Sequence, residues 1–316
     1  MPSPIIFNHD AAIDEYMAAV LLTTLADFET QGFIITNADC IPEPAMETQW
    51  KIQCFTGSTD VPLALSQARG WNPFPWSYRG DCIKQGAVPA LIQYGAPSNA
   101  WPPVQSGEEL LTSLLKKAME SENPVTMLVN CPLTTLADVL KADAGLEKGM
   151  SRLIWMGGAI NVKGNLDPST ISAAVANPSA EWNAFWDPSA VDWIFKNTTV
   201  PLTVFPLDVT DQAKITPEFM EDLRKQSAYR YSQLAYQSYS LVSDQCFYDM
   251  WDVVTTCYIP HPELFDKPAP MELTIETQGF YQGTLRDQPG GRPADVVLNL
   301  ADKPGFYRYV LSQFKR

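Results

Sequence analysis

The chain has 316 residues, with 22 Lys or Arg and 36 Asp or Glu, so its formal net charge is −14. Because 46% of the residues are hydrophobic, the chain can build a large core, and global disorder is excluded. The negative charge argues against a nucleic-acid partner and against binding to an anionic membrane, because both need a basic surface. It is compatible with a bound cation, or with solubility alone.

Targeting signals and redox motifs are absent from the sequence. The first four residues carry no basic region, and no run of about 18 apolar residues occurs, so neither a leader nor a membrane span is expected. The six cysteines form no C-x-x-C pair and no zinc spacing, a pattern typical of reduced thiols in a cytoplasmic protein. Only two histidines, His9 and His261, are present. A multi-histidine metal site is therefore excluded, and carboxylates are expected to carry any chemistry.

Short apolar runs, each followed by a polar or Gly/Pro turn, recur along the chain. They cover residues 4–7, 32–35, 125–129, 153–156 and 202–205. Continuous apolar runs of this length predict strands covered on both faces, as in parallel sheets. Helical patterns lie between them, at 14–24, 108–121 and 132–140. This alternation predicts an α/β fold with an open, mostly parallel twisted sheet flanked by helices.

Two stretches without this alternation are predicted to be loops. Residues 95–107 contain three prolines and are expected at the surface, and residues 169–180, rich in Ser and Ala, could form a mobile loop. Strand–helix units resume on the same plan after each stretch. A single domain covering residues 1–316 is therefore expected.

Polar residues follow directly on several apolar runs. They are Asn8, Asp10, Asp39, Asn130 and Asp208. In open α/β sheets, ligands bind outside the carboxyl ends of the strands. We therefore expect these five side chains to converge on one site.

The first constellation with chemical potential is N-H-D-A-A-I-D-E at residues 8–15, between a strand and a helix. Its carboxylates, Asp10, Asp14 and Glu15, are hard oxygen ligands that suit Ca²⁺ or Mg²⁺. Two other interpretations remain open. Asp14 and Glu15 could simply favour the dipole of the helix that they begin, and Asp10 could be a turn residue.

Three further stretches combine aromatic and polar side chains. Residues 181–188 place a carboxylate and an amide beside an aromatic ring, which could hold a polyol, or could pack in the core. Residues 247–252 end in Trp-Asp, which could bind a ring and a metal, or form an amphipathic helix. Residues 72–79 could stack on a planar ligand, or pack as a loop. Together these stretches predict a protein that binds a metal, a sugar and a flat ring.

These motifs resemble those of the nucleoside hydrolases, and most closely the purine-preferring (inosine-adenosine-guanosine) branch of that family. Asn8, Asp10, Asp14 and Glu15 stand in the register of the family's D-x-D-x-x-x-D-D motif. Further matches in family order are T-N-A-D-C at 36–40, N-P-F-P at 72–75, N-C-P-L-T at 130–134, M-G-G-A at 156–159, A-E-W-N at 180–183 and W-D at 251–252. The resemblance runs from about residue 5 to the C-terminal region.

The resemblance implies hydrolysis of the N-glycosidic bond of purine ribonucleosides to free base and ribose. It implies a Ca²⁺ ion whose ligands are Asp10, Glu15, Asp252 and the backbone carbonyl of Asn130. Asp10 would take the proton from a calcium-bound water that attacks the anomeric carbon. A nucleoside is the expected small-molecule partner, and a homodimer is the expected assembly.

The resemblance also implies a set of substrate-binding residues. The ribose hydroxyls would be held by Asp14, Asn165, Glu181, Asn183 and Asp252. The base would be contacted by Asp39 and stacked between Tyr78 and Trp251, and Trp182 is expected to contact substrate as well.

Three residues depart from the family pattern. Asn8 and Glu15 stand where the family has Asp, and Ala12 stands where the purine branch has Asn. These departures keep two alternatives open: a catalytically silent nucleoside or ribose binder, and a hydrolase of pyrimidine or modified nucleosides. A phosphatase of the haloacid-dehalogenase type, with Asp10 as nucleophile, is a further alternative, although Asn8 disrupts its expected D-x-D motif.

Overall fold

The structure is a computed structural model that describes residues 2–95, 105–243 and 248–316. Cys246 and most of the predicted 95–107 loop lie outside the described residues. The described strands are β1 Ser3–His9, β2 Phe28–Ile35, β3 Leu63–Leu65, β4 Val125–Asn130, β5 Met150–Met156, β6 Leu202–Phe205, β7 Ala269–Ile275, β8 Leu285–Asp287 and β9 Arg292–Val296. All of them belong to one sheet, in the order β3-β2-β1-β4-β5-β6-β9-β7-β8.

Helices connect and cover these strands. They are α1 Ile13–Leu22, α2 Pro42–Thr56, α3 Trp76–Arg79, α4 Asp81–Gly86, α5 Gly107–Glu120, α6 Thr134–Ala142, α7 Trp182–Trp186, α8 Pro188–Asn197, α9 Leu207–Thr210, α10 Pro217–Lys225, α11 Arg230–Ser240, α12 Trp251–Tyr258 and α13 Lys303–Gln313. Short 3₁₀ helices occupy Ala144–Gly149 and Pro262–Leu264. Within the described ranges, none of the helices is both long and apolar enough to cross a bilayer.

The predicted parallel sheet is confirmed, and burial on both faces explains its apolar strands. β1 pairs in parallel with β2 and β4, and the order continues in parallel through β5, β6 and β9. Alternate residues of the central strands face opposite cores. Phe7 and Phe33 lie in one core, while Ile6 and Ile34 lie in the other. Helices α1 and α12 cover the first face, and α5 and α6 cover the second.

The C-terminal edge of the sheet differs from the sequence prediction. β7 runs antiparallel to both β8 and β9, and none of the three was predicted as a strand. The residues of β7 alternate between more exposed and more buried positions along most of its length. A strand with one face towards solvent lacks the continuous apolar run that revealed the central strands.

Candidate functional site

A cavity of about 350 Å³ opens at the carboxyl ends of the central strands. Asp10 and Asp39 line it just after β1 and β2, and Asn130 and Met156 line it at the ends of β4 and β5. Its volume falls within the roughly 300–1,000 Å³ typical of small-molecule sites. The lining carboxylates are Asp10, Glu15, Asp39, Asp81, Asp167, Glu181, Asp211, Asp249 and Asp252.

The turn between β1 and α1 places Asp10 and Glu15 together. Ala11 has φ +71°, a left-handed backbone that costs an L-residue roughly 1–2 kcal/mol and turns the chain sharply after Asp10. The Asp10 N–H donates to Glu15 Oε1 at 3.3 Å, and the Asp39 N–H donates to Asp10 Oδ2 at 3.1 Å. The Asp10 carboxylate is therefore held between the ends of two neighbouring strands.

Burial and mutual repulsion make this cluster of acids electrostatically unfavourable. The pKa of Glu15 is raised well above its ordinary value by burial and then by the charge of Asp10. The pKa of Asp39 is raised for the same two reasons, and that of Asp252 is raised by burial and by the charge of Asp14. Burial also raises the pKa of Asp10. Protons or a cation would relieve this concentration of negative charge.

The chemistry of the cluster fits a hard cation. Glu15 Oε2 and Asp252 Oδ1 are buried and have no hydrogen-bond partner. Carboxylate oxygens of this kind are the ligands that Ca²⁺ prefers. Among the residues that the structure describes, no three His, Cys, Asp or Glu side chains form a preassembled metal site. The donors are therefore suitable in type but are not already arranged around an ion.

Asn130 fixes the position of α12, which carries Asp252. Its amide nitrogen donates to the carbonyl of Asp252 at 3.3 Å, and Thr255 Oγ1 donates to its amide oxygen at 3.0 Å. The Asn130 side chain is thereby committed to the first turn of α12. Any ligand that Asn130 offered to an ion would be its backbone carbonyl, as the family resemblance implies.

Asp14, in the first turn of α1, binds the backbone at the start of α12. Its carboxylate accepts hydrogen bonds from the backbone N–H groups of Asp252 at 2.5 Å and Val253 at 3.3 Å, and from the Tyr239 hydroxyl at 3.2 Å. It is fully buried and is not among the residues that line the cavity, so its role in holding ribose stays a prediction. α12 has no cap from its own N-cap side chain, and Asp14 satisfies its free N–H groups instead.

Two of the five strand-end residues that were expected to converge also lie outside the cavity lining. Asn8 donates to the Ile34 carbonyl at 3.0 Å and to Thr36 Oγ1 at 2.9 Å. Asp208 accepts from the backbone N–H groups of Ile160 and Asn161 at 2.9 and 2.8 Å. Both side chains hold backbone around the cavity, because buried N–H and C=O groups need partners. The other three residues converge as predicted.

The residues implied for ribose, apart from Asp14, do line the cavity. Glu181 accepts from the N–H groups of Gly158, Asn183 and Ala184 at 2.8, 2.8 and 3.2 Å, and burial raises its pKa to about 7. Asn165 presents a buried side-chain oxygen without a hydrogen-bond partner. These polar atoms are available to hydroxyl groups of a ligand.

The loop between Asn165 and Ala180 is anchored at both ends. The Asn165 N–H donates to the Ala180 carbonyl at 3.1 Å. A Cβ at Gly164 would lie 2.0 Å from that same carbonyl oxygen, so only glycine permits this approach. Within the loop, Ile171 and Val175 pack against the aromatic cluster described next. Its predicted mobility stays a prediction.

Aromatic rings form two groups in the cavity wall. Phe74, Tyr78 and Trp182 form one cluster, with Trp182 lying 5.0 Å from Phe74 and 6.3 Å from Tyr78 between ring centroids. Trp251 packs against Tyr248 at 4.9 Å in the other group. Its indole N–H donates to Asp211 Oδ1 at 2.9 Å, which fixes the plane of the ring. Both groups offer faces for a planar ligand.

Sequence reasoning missed several lining residues, among them Asp81, Asp211 and Lys214. Lys214 Nζ lies 2.7 Å from Oδ2 of Asp249, which also lines the cavity. The Asp249 side chain is almost fully buried, and burial raises its pKa to about 6. A signal did exist for Asp211, which directly follows the short helix α9 after β6. The rule that ligands bind outside the carboxyl ends of the strands would have found Asp211 if it had been applied one helical turn beyond the end of β6.

The two histidines lie elsewhere. His9 is fully buried, stacks on Phe7 at 4.8 Å, and has its pKa lowered to about 3 by burial. His261 pairs with Glu263 at 2.7 Å near the surface. Neither belongs to the cavity lining. The expectation that carboxylates rather than imidazoles dominate the site therefore agrees with the geometry of the described residues.

Comparisons with known proteins agree with this architecture. Residues 5–308 match the family described as inosine-uridine preferring nucleoside hydrolase. The pyrimidine-specific ribonucleoside hydrolase RihA of Shewanella sp. (strain ANA-3) is 30% identical over 227 residues, which are 71% of this chain and 65% of that protein. The chain thus matches just under two thirds of the length of this relative. RihA of Escherichia coli O127:H6 is 26% identical, and that match covers 100% of this chain and 99% of the relative.

A solved structure shows the same fold. The inosine-uridine preferring nucleoside hydrolase from Bacillus anthracis superposes with a TM-score of 0.87 at 28% identity, over 99% of each chain. The match of residues 5–308 removes the basis for the phosphatase alternative. The chain belongs to the inosine-uridine preferring nucleoside hydrolase family.

Proposed function

We propose that the protein hydrolyses the N-glycosidic bond of ribonucleosides, so that water adds to the anomeric carbon and the base departs. The observation that carries this proposal is a single cavity with buried carboxylates at its base and aromatic rings in its wall, in a chain of this family. Asp10 is the proposed general base. Its carboxylate is oriented by the Asp39 N–H and lies where strand ends meet.

Calcium is the proposed cofactor of this site. Asp10, Glu15, Asp252 and the Asn130 carbonyl would hold it, and the unpartnered oxygens of Glu15 and Asp252 support this set. A bound Ca²⁺ would supply a water with a lowered pKa and offset the negative charge of the cluster. Asp10 then only has to accept a proton, which a carboxylate can do near neutral pH.

The remaining polar residues are proposed to hold the ribose and stabilise the transition state. Glu181, Asn165 and Asn183 present their side chains to the cavity from the segment that ends in α7. Positive charge develops on the sugar ring as the glycosidic bond breaks. The fixed negative charge of Glu181 would stabilise this oxocarbenium-like state without reorganisation.

Purine ribonucleosides are the proposed preferred substrates. Tyr78, Trp182 and Trp251 offer three indole or phenol rings to the base, and a two-ring purine gives these surfaces more area to cover than a pyrimidine does. The Shewanella and Escherichia coli relatives bear the name pyrimidine-specific, which favours a second candidate, a pyrimidine ribonucleoside hydrolase.

Release of free ribose separates these candidates. The purified protein is incubated with inosine or uridine, with calcium or with a chelator, and ribose is measured while calorimetry records binding. The proposal predicts ribose release that needs calcium, with a higher kcat/KM for inosine. Equal or faster hydrolysis of uridine would reject the purine preference. Binding of inosine without any ribose release would establish the silent binder instead.

A further inference from the structure

A line of hydrogen bonds, called here the hydroxyl relay, joins Asn8 to Glu108 on α5. Asn8 Nδ2 donates to Thr36 Oγ1 at 2.9 Å. Thr36 Oγ1 in turn lies 2.8 Å from Thr135 Oγ1. Thr135 Oγ1 donates to Ser66 Oγ at 2.8 Å, and Ser66 Oγ donates to Glu108 Oε1 at 2.5 Å. Asn8, Thr36 and Thr135 are fully buried, and Ser66 is nearly so. The relay therefore runs through the interior and ends at a carboxylate that is partly exposed.

The chemistry of its two ends gives the relay a single direction. At one end, Asn8 Nδ2 also donates to the Ile34 carbonyl at 3.0 Å, and because a carbonyl only accepts, this atom must be the amide nitrogen. At the other end, both oxygens of the Glu108 carboxylate act as acceptors, from the Ser66 hydroxyl and from the Gln67 N–H. Each hydroxyl must then accept from the Asn8 side and donate towards Glu108.

The relay connects the strand ends that carry the base of the cavity. Its members belong to β1, to the segments after β2 and β3, and to the start of α6 after β4. Asp10, Asp39 and Asn130 lie on or beside three of these same strand ends. A shift between these strands would therefore break relay hydrogen bonds and would also displace cavity carboxylates relative to one another.

Glu108 reaches the relay because α5 begins close to the segment after β3. A Cβ at Gly107 would lie 2.8 Å from the Ser66 backbone nitrogen, so this approach requires glycine. The Glu108 carboxylate also accepts from the Gln67 N–H, at 3.0 Å through Oε1 and 3.1 Å through Oε2. Glu108 thus binds both the backbone and the hydroxyl of the segment after β3.

We propose that Glu108, outside the cavity, is a positioning residue that sets the direction of the hydroxyl relay and so holds the cavity acids in register. One consequence is specific. An acid at position 8 is incompatible with an acid at position 108, because both ends would then accept and one pair of relay oxygens would have no proton between them. A glutamine at 108 removes the conflict, since its amide can donate to Ser66 while its oxygen still accepts from Gln67.

A double-mutant cycle in urea unfolding tests this direction. We expect N8D to lower the folding equilibrium constant by roughly 10- to 100-fold, the cost of an unsatisfied buried group, and E108Q to lower it by less than about tenfold. The N8D/E108Q variant should regain about tenfold over N8D. Recovery stays incomplete, because the Ile34 carbonyl loses its donor in both backgrounds.

The neighbouring acid supplies a matched control. Glu109 is exposed, and its carboxylate accepts from the Ser106 N–H at 2.9 Å rather than from the relay. N8D/E109Q should therefore be no more stable than N8D. Equal rescue by E109Q, or no rescue by E108Q, would overturn the proposal. If N8D alone does not fold, folding of N8D/E108Q but not of N8D/E109Q supports it, and failure of both contradicts it.

Nucleoside hydrolysis provides a second readout, and this part rests on the proposed function. In the folded variants, N8D should lower kcat more than it raises KM, and E108Q should restore kcat in the N8D background. Unchanged kcat in all folded variants would show that the relay does not position the acids. Absence of hydrolysis by the wild-type protein would reject the proposed function, while the stability cycle would still decide the direction of the relay.

Discussion

The base of the cavity and its wall are built on different principles. At the base of the cavity, Asp10, Glu15 and Asp252 are almost fully buried and lie at strand ends and in the first turns of α1 and α12, where backbone hydrogen bonds hold these segments. In the wall, Tyr78 and Trp251 are only partly buried and pack against other aromatic rings, Tyr78 against Phe74 and Trp251 against Tyr248. We propose that the carboxylates at the base of the cavity carry out the bond cleavage that is common to all nucleosides, and that the aromatic wall distinguishes one nucleobase from another.

The largest expected effect comes from removing the proposed general base. D10N should lower kcat for inosine and for uridine alike by about 10²- to 10⁴-fold, because the proton of the attacking water loses its acceptor. Ribose release under saturating calcium measures this loss. D138N, at an exposed site paired with Lys141, is the matched control and should keep wild-type activity. A D10N enzyme that retained more than a tenth of the wild-type rate would contradict the assignment.

A wall variant should instead change selectivity. W251A should reduce kcat/KM for inosine by roughly 10- to 100-fold, because loss of ring stacking on a base costs about 1–3 kcal/mol. The loss for uridine should be smaller, since its single ring covers less of the indole. W193A, whose ring lies near Lys141 and outside the cavity lining, serves as the control. Equal losses of kcat/KM for the two substrates would argue that Trp251 does not distinguish one nucleobase from the other.

Glu181 also lines the cavity. As pH rises, its ionisation should lower the free energy of unfolding and raise the activity. Burial raises its pKa to about 7, above the ordinary value of 4.5. Between these values the folded protein binds the proton more tightly than the unfolded chain, so unfolding free energy should fall as pH rises from about 5 to 8. The contribution of this one group is on the order of 3 kcal/mol at most.

Activity should follow the ionised form of Glu181. We expect kcat/KM to rise with pH through about 7, because the carboxylate must be charged to stabilise the sugar cation. E181Q should make both profiles less steep, as measured by urea unfolding of the calcium-free protein and by initial rates, while the other buried acids keep part of each slope. If the unfolding free energy of E181Q depends on pH as steeply as that of the wild type, acids other than Glu181 are responsible for this dependence.

The smallest expected effect concerns the orientation of the Trp251 ring. D211A removes the acceptor of the indole N–H and should raise KM for inosine by roughly 2- to 10-fold, the value of one net hydrogen bond. D211N keeps an oxygen acceptor and should differ from the wild type by less than about twofold. Similar KM values for D211A and D211N would indicate that charge, rather than ring orientation, is the contribution of Asp211.

The sequence was informative where local pattern and structure coincide. Continuous apolar runs identified β1, β2, β4, β5 and β6, because parallel strands are buried on both faces. The strand-end rule then located Asp10, Asp39 and Asn130 in the cavity. Strands β7, β8 and β9, among which β7 runs antiparallel to the other two, were missed, because strands with one exposed face carry no such run.

The structural roles that the sequence did not reveal depend on distant partners. The role of Asp14 depends on the N–H groups of a helix 238 residues further along the chain, and no local pattern contains that partner. Asn8 and Asp208 likewise satisfy backbone groups on other elements. Lys214 was missed because it follows no apolar run and reaches the cavity beside Asp249, across a bridge between distant segments. Such residues can be assigned only when the tertiary partners are known.

The proposed roles of the base of the cavity and of its wall are tested most directly by one ratio, kcat/KM for inosine over kcat/KM for uridine. This ratio is measured for wild type, D10N and W251A. The account predicts that D10N lowers both values by at least about 100-fold and leaves their ratio within about twofold of the wild type. It predicts that W251A shifts the ratio by at least about fivefold towards uridine. A shift in D10N as large as that in W251A would contradict the account.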